Sequence, residues 1–389
     1  MKKLVQSIVY LLFKLFGHSQ DKQLVYFESF HGKQYSDNPK AVYVYMKQHF
    51  PSYRLIWGVT KGYEAAFEEE QVDFVRRFSL RWFLTMPRAT AWVINTRTPI
   101  WLYKPEGITY IQTWHGTPLK KIGRDIEDVH IPGYTREGYY QEISDESSRW
   151  DVLVSPNTYS TDIFRRAFDY AGDILETGYP RNDQLLKYKS DDDFIQGIKQ
   201  KLHVPLDKQV ILYAPTWRET DAQKAGQYSF SHNLDFKRFA ELFGNKIVLL
   251  VRMHYLVASE IDFKQYGDCI MDMSRGIDMS DLLLISDLLI TDYSSAMFDF
   301  ALTERPMIFY LPDRQKYEQE LRGFYFDIDQ ELPGVIIETN TELEQLINLF
   351  LTDKNQLLLP NYREFKHKFC FEMIERTTQL IGQIIETKL

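Results

Sequence analysis

A histidine, a hydroxyl group and several cations follow one short apolar segment, in the stretch YIQTWHGTPLKKIGR at residues 110–124. His115 precedes Gly116, which lets a ligand approach the backbone, and Thr117, and this combination has the parts of a general-base site. Cations directly beyond it attract a phosphate. They are Lys120, Lys121 and Arg124. The alternative interpretation is an ordinary turn between a strand and a helix that carries a solvated histidine.

Four other segments have the composition of ligand-binding strand ends. They are GYPRND at 178–183, YAPTWR at 213–218, RMH at 252–254 and DYSS at 292–295. Each follows a predicted strand, and in α/β folds ligands lie at the carboxyl ends of the strands. Because such segments recur at several strand ends, they favour one ligand site over unrelated surface features.

The side chains of these segments fit an anionic nucleotide. Arg181, Arg252 and a protonated His254 can neutralise a diphosphate, whose charge must be held as a phosphate leaves. Ser294 and Ser295 add backbone N–H groups at the start of a predicted helix. Taken singly, an arginine after a strand is more often a surface cation, and paired serines before a helix are more often a cap.

Two sets of parallel strands are needed to position these residues. Apolar segments predict strands at residues 24–27, 54–59, 91–95, 108–113, 152–155 and 174–176, and then at 210–213, 246–251, 269–271, 288–291 and 307–310. Helical patterns occupy residues 40–48, 235–243, 280–285, 295–303 and most of 342–389. This alternation predicts an α/β fold of two doubly wound domains facing a cleft. We place their junction in the charged stretch 187–201, although the aspartates at 191–193 can instead begin a helix.

Composition excludes several classes of protein. The chain has 389 residues, 44% of them hydrophobic, and a net charge of −8, which indicates a folded protein whose main partner is not nucleic acid. Its two cysteines, Cys269 and Cys370, fit a reducing compartment and no structural zinc. No dinucleotide fingerprint follows a predicted strand, and no P-loop occurs. Asp327 and Asp329 have the spacing of a metal-binding pair, but they lie in an irregular polar connection, and we predict no metal site.

The N-terminal segment MKKLVQSIVYLLFKLF, residues 1–16, is a candidate membrane-associating helix. Lys14 interrupts its apolar run, no small-residue cleavage site follows, and it is too short to span a bilayer. As a helix it has one polar stripe, formed by Lys3, Ser7, Tyr10 and Lys14. This pattern predicts an in-plane anchor at the cytoplasmic face of an anionic membrane. The alternative is a terminal helix packed on the protein's own core.

A local excess of positive charge lies at residues 74–105, which contain six cations and no acidic residue. Read as a helix, part of this stretch places Arg77 and Arg81 beside an apolar stripe formed by Phe78, Trp82 and Met86. One interpretation is a patch that holds the diphosphate of a carrier lipid near the membrane. The other is an amphipathic helix with its arginines in water.

The motifs WHGTPLKKIG, ETGYPRND, YAPTWR, RMHY and ISDLLITDYSSAMFDF together resemble those of the CDP-glycerol glycerophosphotransferase family of wall teichoic acid synthesis. FESFHGKQYSDNPKA near the start and LRGFYFD near the end extend the resemblance, in order, from about residue 20 to residue 330. The resemblance implies a GT-B type pair of Rossmann-like domains. Together with the N-terminal segment and the charged stretch described above, this predicts a membrane-associating segment at 1–19, an N-terminal Rossmann-like domain on the acceptor side at 20–190 and a CDP-glycerol-binding domain with C-terminal helices at 191–389.

Roles for individual residues follow from the same resemblance. It implies that His115 is the catalytic base, and we place His254 with it among the catalytic residues. The residues expected to surround CDP-glycerol are Trp114, His115, Gly116, Thr117, Pro118, Arg181, Thr216, Trp217, Arg252, Met253, His254, Ser294, Ser295 and Asp299. No cofactor is expected, since CDP-glycerol is the donor substrate.

The function expected from the resemblance is transfer of glycerol phosphate from CDP-glycerol to a polyprenyl-diphosphate-linked disaccharide that already carries one glycerol phosphate. Addition of the first unit, and polymerisation, remain alternatives because acceptor length is recognised by shape. More distant alternatives are a GT-B glycosyltransferase that uses a nucleotide sugar and a non-catalytic membrane scaffold.

Overall fold

The computed structural model describes residues 2–129, 134–216, 222–224, 227–228, 234–253, 262–314 and 323–387. Its strands are β1 Asp21–Glu28, β2 Arg54–Val59, β3 Phe74–Arg76, β4 Ala89–Ile94, β5 Thr109–Gln112, β6 Val152–Ser155, β7 Asp173–Glu176, β8 Gln209–Ala214, β9 Ala222–Lys224, β10 Gln227–Tyr228, β11 Ile247–Val251, β12 Ile270–Asp272, β13 Leu288–Thr291, β14 Met307–Tyr310 and β15 Val335–Ile337.

The α-helices lie between and after these strands. They are α1 Lys2–Phe16, α2 Asp37–His49, α3 Ala65–Glu69, α4 Leu80–Thr85, α5 Arg136–Ser147, α6 Thr158–Ala167, α7 Asp183–Tyr188, α8 Asp192–Lys201, α9 Phe236–Phe243, α10 Met279–Ile285, α11 Ala296–Phe300, α12 Ile328–Glu331, α13 Asn340–Asp353, α14 Tyr362–Phe369 and α15 Arg376–Glu386. All eleven predicted strands are present, with ends that differ by up to three residues.

The chain divides into two compact units. The first unit is Met1–Asp183 with Phe371–Leu389, and the second unit is Gln184–Cys370. The boundary between Asp183 and Gln184 lies just before the predicted junction at residues 187–201. The alternative for the aspartates is correct, because Asp191 caps α8 by accepting a hydrogen bond from the Phe194 amide. The predicted domain at residues 191–389 is also wrong at its C-terminal end, because Phe371–Leu389 belongs to the first unit.

The C-terminal helix α15 is part of the first unit for a physical reason. It is amphipathic, and Ile381 and Ile385 are buried in the first unit's core together with Val42 of α2 and Trp57 of β2. Thr377 adds side-chain hydrogen bonds to the carbonyl oxygens at the end of β7. Sequence periodicity predicts such an apolar face but does not identify the surface that buries it.

The first unit contains a seven-stranded parallel sheet in the order β3-β2-β1-β4-β5-β6-β7. All six residues of the central strand β4 are buried, as expected where helices cover both faces. The strand order reverses between β1 and β4. In doubly wound folds this switch point is where ligands bind.

The second unit contains a six-stranded parallel sheet in the order β12-β11-β8-β13-β14-β15. Its order reverses between β8 and β13, and every residue of β11 and β13 is buried. β9 and β10 form a separate antiparallel pair. The predicted fold class, parallel α/β sheets of doubly wound topology, is therefore confirmed.

Helix α1 packs one face against the first unit. Val9 and Phe13 are buried, and the Phe13 ring lies 5.0 Å from Trp82 and 6.4 Å from Trp92, measured between ring centroids. The predicted helix is confirmed, and the alternative, packing on the protein's own core, is correct for this one face. Among the residues that the structure describes, no helix is long and apolar enough to cross a membrane.

Candidate active site

His115 follows β5 in the first unit, after a turn that leaves the sheet. The Thr113 amide still donates to the Ile94 carbonyl of β4, at 2.8 Å, so the strand pairing continues to that point. Trp114 then adopts a left-handed conformation with φ of 50°. Its amide donates to the side-chain oxygen of Gln112, at 3.0 Å. This turn directs the next residue toward the end of β4.

The imidazole of His115 has a defined tautomer. Its Nδ1 lies 2.6 Å from the backbone carbonyl oxygen of Asn95, directly after β4. Because a carbonyl oxygen only accepts, Nδ1 must carry the hydrogen, and in the neutral ring Nε2 then holds a lone pair. The Phe30 and Trp114 rings lie 5.8 and 4.5 Å from the imidazole, between centroids. Nε2 of His115 therefore has the lone pair that accepting a proton requires.

The surroundings of His115 favour its neutral form. Burial lowers the pKa of this imidazole, and the positive charge of Arg181 lowers it further. The hydrogen bond to Asn95 and the carboxylate of Asp37 oppose this shift without reversing it. With its pKa below the ordinary value of about 6.5, His115 is neutral at neutral pH, which a general base requires.

Arg181 is held beside this site by a buried ion pair. Its Nη1 lies 3.1 Å from Oδ2 of Asp37, and the two side chains are 9% and 11% exposed. The guanidinium also lies over the ring of Tyr179, 4.6 Å from its centroid. Arg181 thus lies near His115, as expected, but its charge is balanced within the first unit.

The residues after His115 are more enclosed than the sequence indicates. Gly116, Thr117 and Pro118 are buried, and the Tyr159 hydroxyl donates to the Pro118 carbonyl at 2.7 Å. Two of the three cations predicted to attract a phosphate have carboxylate neighbours, since Lys121 pairs with Glu127 and Arg124 with Asp169. This segment is irregular and ends in a single 3₁₀ turn, Gly123–Asp125.

In the second unit two of the predicted segments meet where the strand order reverses. The Thr216 amide, after β8, donates to Oδ1 of Asp292, after β13, at 2.8 Å. The Thr291 hydroxyl donates to the Ala214 carbonyl at 2.7 Å. Residues 213–216 of YAPTWR, the part that the structure describes, therefore lie beside the start of DYSS at the switch point of this sheet.

Arg252 follows β11 at the same edge of the sheet. Its amide donates to the Tyr213 carbonyl at 2.9 Å, and its Nη1 donates to the Met273 carbonyl at 2.5 Å. Burial lowers the pKa of this guanidinium, against the nearby carboxylates of Asp278 and Asp272, although an arginine remains charged at neutral pH. A fixed, partly desolvated guanidinium is suited to hold a phosphate.

The other residues of the second unit that were predicted to surround CDP-glycerol do not all lie at the carboxyl ends of the strands. Ser294 and Ser295 precede the short helix α11, and the Ser294 hydroxyl accepts from the Ala296 amide at 3.3 Å. Asp299 is buried inside α11, and the Met253 side chain is buried in the apolar core rather than at the edge. Trp217 and His254 lie outside the described residues.

Three residues of the first site were not predicted, namely Asp37, Asn38 and Asn95. Asn95 is the last residue of a predicted strand, and the pair Asp37–Asn38 lies in FESFHGKQYSDNPKA. The position of Asn95 at a strand end was a usable signal. For Asp37 and Asn38 the sequence shows only that they lie near the start of a predicted helix. Their contacts with residues 113–114 and 181 depend on the fold.

Three cations of the stretch at 74–105 have carboxylate partners in the first unit. The ion pairs are Arg76–Glu64, Arg77–Glu28 and Lys104–Asp151, with N–O distances of 2.7, 3.2 and 2.7 Å. Of the predicted apolar stripe, Trp82 and Met86 are buried whereas Phe78 is exposed. Binding of the acceptor lipid by Arg77 and Arg81 stays a prediction. Substitution of Arg77 would also remove the ion pair that it forms with the buried Glu28.

Comparisons with known proteins agree on one family. Residues 11–386 match the family described as CDP-Glycerol:Poly(glycerophosphate) glycerophosphotransferase. The chain is 51% identical to the teichoic acid glycerol-phosphate transferase of Staphylococcus aureus (strain NCTC 8325 / PS 47), over 99% of this chain and 98% of that protein. It is 44% identical to the teichoic acid poly(glycerol phosphate) polymerase of Bacillus subtilis (strain 168), over 92% of this chain but 48% of that protein.

Solved structures show the same relationship. The wall teichoic acid polymerase TagF, in a variant soaked with CDPG, superposes with a TM-score of 0.90 at 37% identity, over 99% of this chain and 95% of that one. The MnaA–UDP structure from S. aureus has a TM-score of 0.52 at 13% identity, over 92% and 95% of the two chains, which is a likeness of fold alone.

Proposed function

The chain belongs to the CDP-glycerol:poly(glycerophosphate) glycerophosphotransferase family, and from that premise we propose the reaction that it catalyses. It is an enzyme of wall teichoic acid synthesis. In this proposal it transfers sn-glycerol 3-phosphate from CDP-glycerol, with release of CMP, to a polyprenyl-diphosphate-linked disaccharide that already carries one glycerol phosphate. The observation that carries the mechanism is the hydrogen bond from His115 Nδ1 to the Asn95 carbonyl, which leaves Nε2 as a base.

The proposed step is a direct phosphoryl transfer. His115 Nε2 takes the proton of an acceptor hydroxyl, and the acceptor oxygen bonds to the phosphorus that carries the glycerol. The bond from that phosphorus to the oxygen of CMP breaks, and CMP leaves with the electron pair. Such reactions depend mostly on positioning and on neutralisation of charge.

The second unit is proposed to hold the leaving nucleotide. Arg252 and His254 balance the charge of the CMP phosphate, with backbone N–H groups of residues 292–295 beside them. Support comes from the hydrogen bonds that fix Arg252 and that join Thr216 to Asp292 at one edge of the sheet. No cofactor is part of this proposal.

The preference for a primed acceptor rests on similarity to the S. aureus protein named a glycerol-phosphate transferase, which the chain matches over nearly its whole length. The second candidate is polymerisation, favoured by the identity of 44% to a protein named as a polymerase. A primase is a weaker candidate, since the B. subtilis (strain 168) protein named a glycerol-phosphate primase is 30% identical over 63% of this chain.

Product analysis separates these candidates. We expect purified protein with CDP-glycerol to add one unit to the lipid-diphosphate disaccharide that carries one glycerol phosphate, and none to the unprimed lipid. Mass spectrometry of the products gives the number of units. A ladder of products would establish a polymerase, and a product from the unprimed lipid would establish a primase. Absence of CMP release would refute the proposal that CDP-glycerol is the donor.

We further propose that the protein attaches peripherally to the cytoplasmic face of the cell membrane through α1. Four apolar side chains at helical spacing lie on its outer face. They are Leu4, Ile8, Leu11 and Leu15, each between 49% and 66% exposed. Lys14 lies on the same outer side of the helix. An exposed apolar stripe beside cations is suited to the surface of an anionic bilayer.

Point changes test this attachment better than deletion of α1, because deletion uncovers the core around Phe13. Leu11→Gln with Leu15→Gln is expected to weaken partitioning onto vesicles that contain phosphatidylglycerol by at least about tenfold, since two apolar side chains no longer enter the interface. The measurement is sedimentation with vesicles. The control, Val44→Gln with Met373→Gln, changes two exposed apolar residues elsewhere in the first unit. Equal loss in both double variants, or none in either, contradicts the proposal.

A further inference from the structure

Asn38 is a fully buried amide whose side chain joins three segments of the first unit. It lies in the first turn of α2 and is 0% exposed. Its Nδ2 donates to the carbonyl oxygens of Thr113 and Trp114, at 3.2 and 3.0 Å. Its Oδ1 accepts from the Arg181 amide at 3.2 Å. One side chain thus holds the two residues that precede His115 and also the backbone of Arg181.

The turn that Asn38 holds is one that the chain does not adopt readily. Trp114 has a φ of 50°, and a left-handed conformation is unfavourable for a bulky side chain. Such a conformation persists only where surrounding contacts determine it. Here the Gln112 side chain holds the Trp114 amide and the Asn38 side chain holds the Trp114 carbonyl. The peptide groups on both sides of Trp114 are therefore fixed by buried amides.

The direction of this turn sets the position of the base. His115 is the next residue, and its Nδ1 reaches the Asn95 carbonyl at 2.6 Å. A rotation of the peptide between Trp114 and His115 moves the imidazole away from that carbonyl. The ring then loses the partner that selects its tautomer. The conformation of the turn therefore determines both the position of Nε2 and whether Nε2 carries a hydrogen.

We propose that Asn38 is a positioning residue for the catalytic base. It acts through residues 113 and 114, whose carbonyl oxygens its side chain holds. The inference rests on the proposed function, in that His115 is taken to be the base. The neighbouring residue, Asp37, forms an ion pair with the guanidinium of Arg181. Asn38 accepts a hydrogen bond from the backbone amide of the same arginine. The first turn of α2 thus fixes both the base and this arginine.

The sharpest test is Asn38→Asp, which is nearly isosteric. The variant keeps an acceptor for the Arg181 amide but replaces the donor to two carbonyl oxygens with a carboxylate oxygen that they repel. We expect kcat, per molecule able to bind CDP-glycerol, to fall about 100-fold, since displacement of a catalytic group by about 1 Å has effects of that order. The KM for CDP-glycerol is expected to stay within about twofold. Asn38→Ala, which adds no buried charge, keeps the test usable if the aspartate variant does not fold.

A second readout does not depend on activity. In protein labelled with ¹⁵N-histidine, the His115 signals, assigned by their absence in His115→Ala, are expected to report hydrogen on Nδ1 in the wild type and a mixture of tautomers in Asn38→Asp. This result holds whether or not His115 is the base. Failure of the proposed function is therefore distinguishable from failure of this inference.

The matched control is Trp92→Phe. It removes one buried hydrogen bond of the same sheet, from Trp92 Nε1 to the Met86 carbonyl at 2.8 Å, on the side that packs against α1. Its kcat per binding-competent molecule is expected to stay within about twofold of wild type. Equal kcat in Asn38→Asp and Trp92→Phe would overturn the inference, as would an unchanged His115 tautomer in Asn38→Asp.

Discussion

Replacement of His115 by alanine is expected to lower turnover by about 10²–10⁴-fold, the usual contribution of a general base. The variant lacks the Nε2 lone pair that takes the proton of the acceptor hydroxyl. Binding of CDP-glycerol is expected to remain, because Arg252 and the backbone N–H groups of residues 292–295, which are proposed to hold the CMP phosphate, belong to the second unit. The measurement is CMP release at saturating donor and acceptor, with donor binding followed by calorimetry.

The control for this prediction is His49→Ala. His49 is an exposed histidine of the same unit, at the end of α2, and its loss is expected to leave turnover within about twofold of wild type. Near-normal turnover in His115→Ala would refute the assignment of the base. Loss of donor binding in that variant would instead place His115 in the nucleotide site.

The pH profile of the wild-type enzyme checks the same assignment. Burial lowers the pKa of His115 below its ordinary value, and a base works only when deprotonated. The acid limb of kcat/KM, along which the imidazole becomes protonated, should therefore have its midpoint below about 6.5. An acid limb of kcat/KM centred above pH 6.5 would contradict a buried neutral histidine as the base.

Replacement of Arg252 by alanine has the second large expected effect, a fall of about 10²–10³-fold in kcat/KM for CDP-glycerol. That is the usual result of removing one donor that stabilises the developing charge. The guanidinium is fixed by its bond to the Met273 carbonyl, so its contribution requires no reorganisation during the reaction. Initial rates at varied CDP-glycerol concentration give the ratio.

Two further variants make this result specific. Arg252→Lys keeps the charge but loses the planar fork, and we expect an intermediate loss. Arg238→Ala removes an exposed arginine of the same unit, paired with Glu344 at 3.1 Å, and should change kcat/KM by less than about twofold. Normal kinetics in Arg252→Ala would remove this residue from the phosphate site.

Much of the fold could be predicted because its signals are local. Strands such as β11 and β13 are short runs of apolar residues bounded by polar ones, and burial on both faces produces that pattern directly. β3 and β15 were missed because each has only three residues at the edge of a sheet, too few to show a period. The helix cap at Asp191 was one of two interpretations of its charged stretch, because an aspartate before an apolar run also fits a polar connection between domains.

The sequence by itself determined the α/β class, the strand ends that carry polar groups and the segments that resemble one family. These properties depend on residues close together in the chain. Only the tertiary structure decided the tautomer of His115, the pairing of Arg181 with Asp37 across 144 residues, and the unit to which α15 belongs. Each of these depends on which distant surfaces meet. A hydrogen bond or an ion pair forms only where the fold brings its two partners within about 3 Å, and no local pattern specifies that distance.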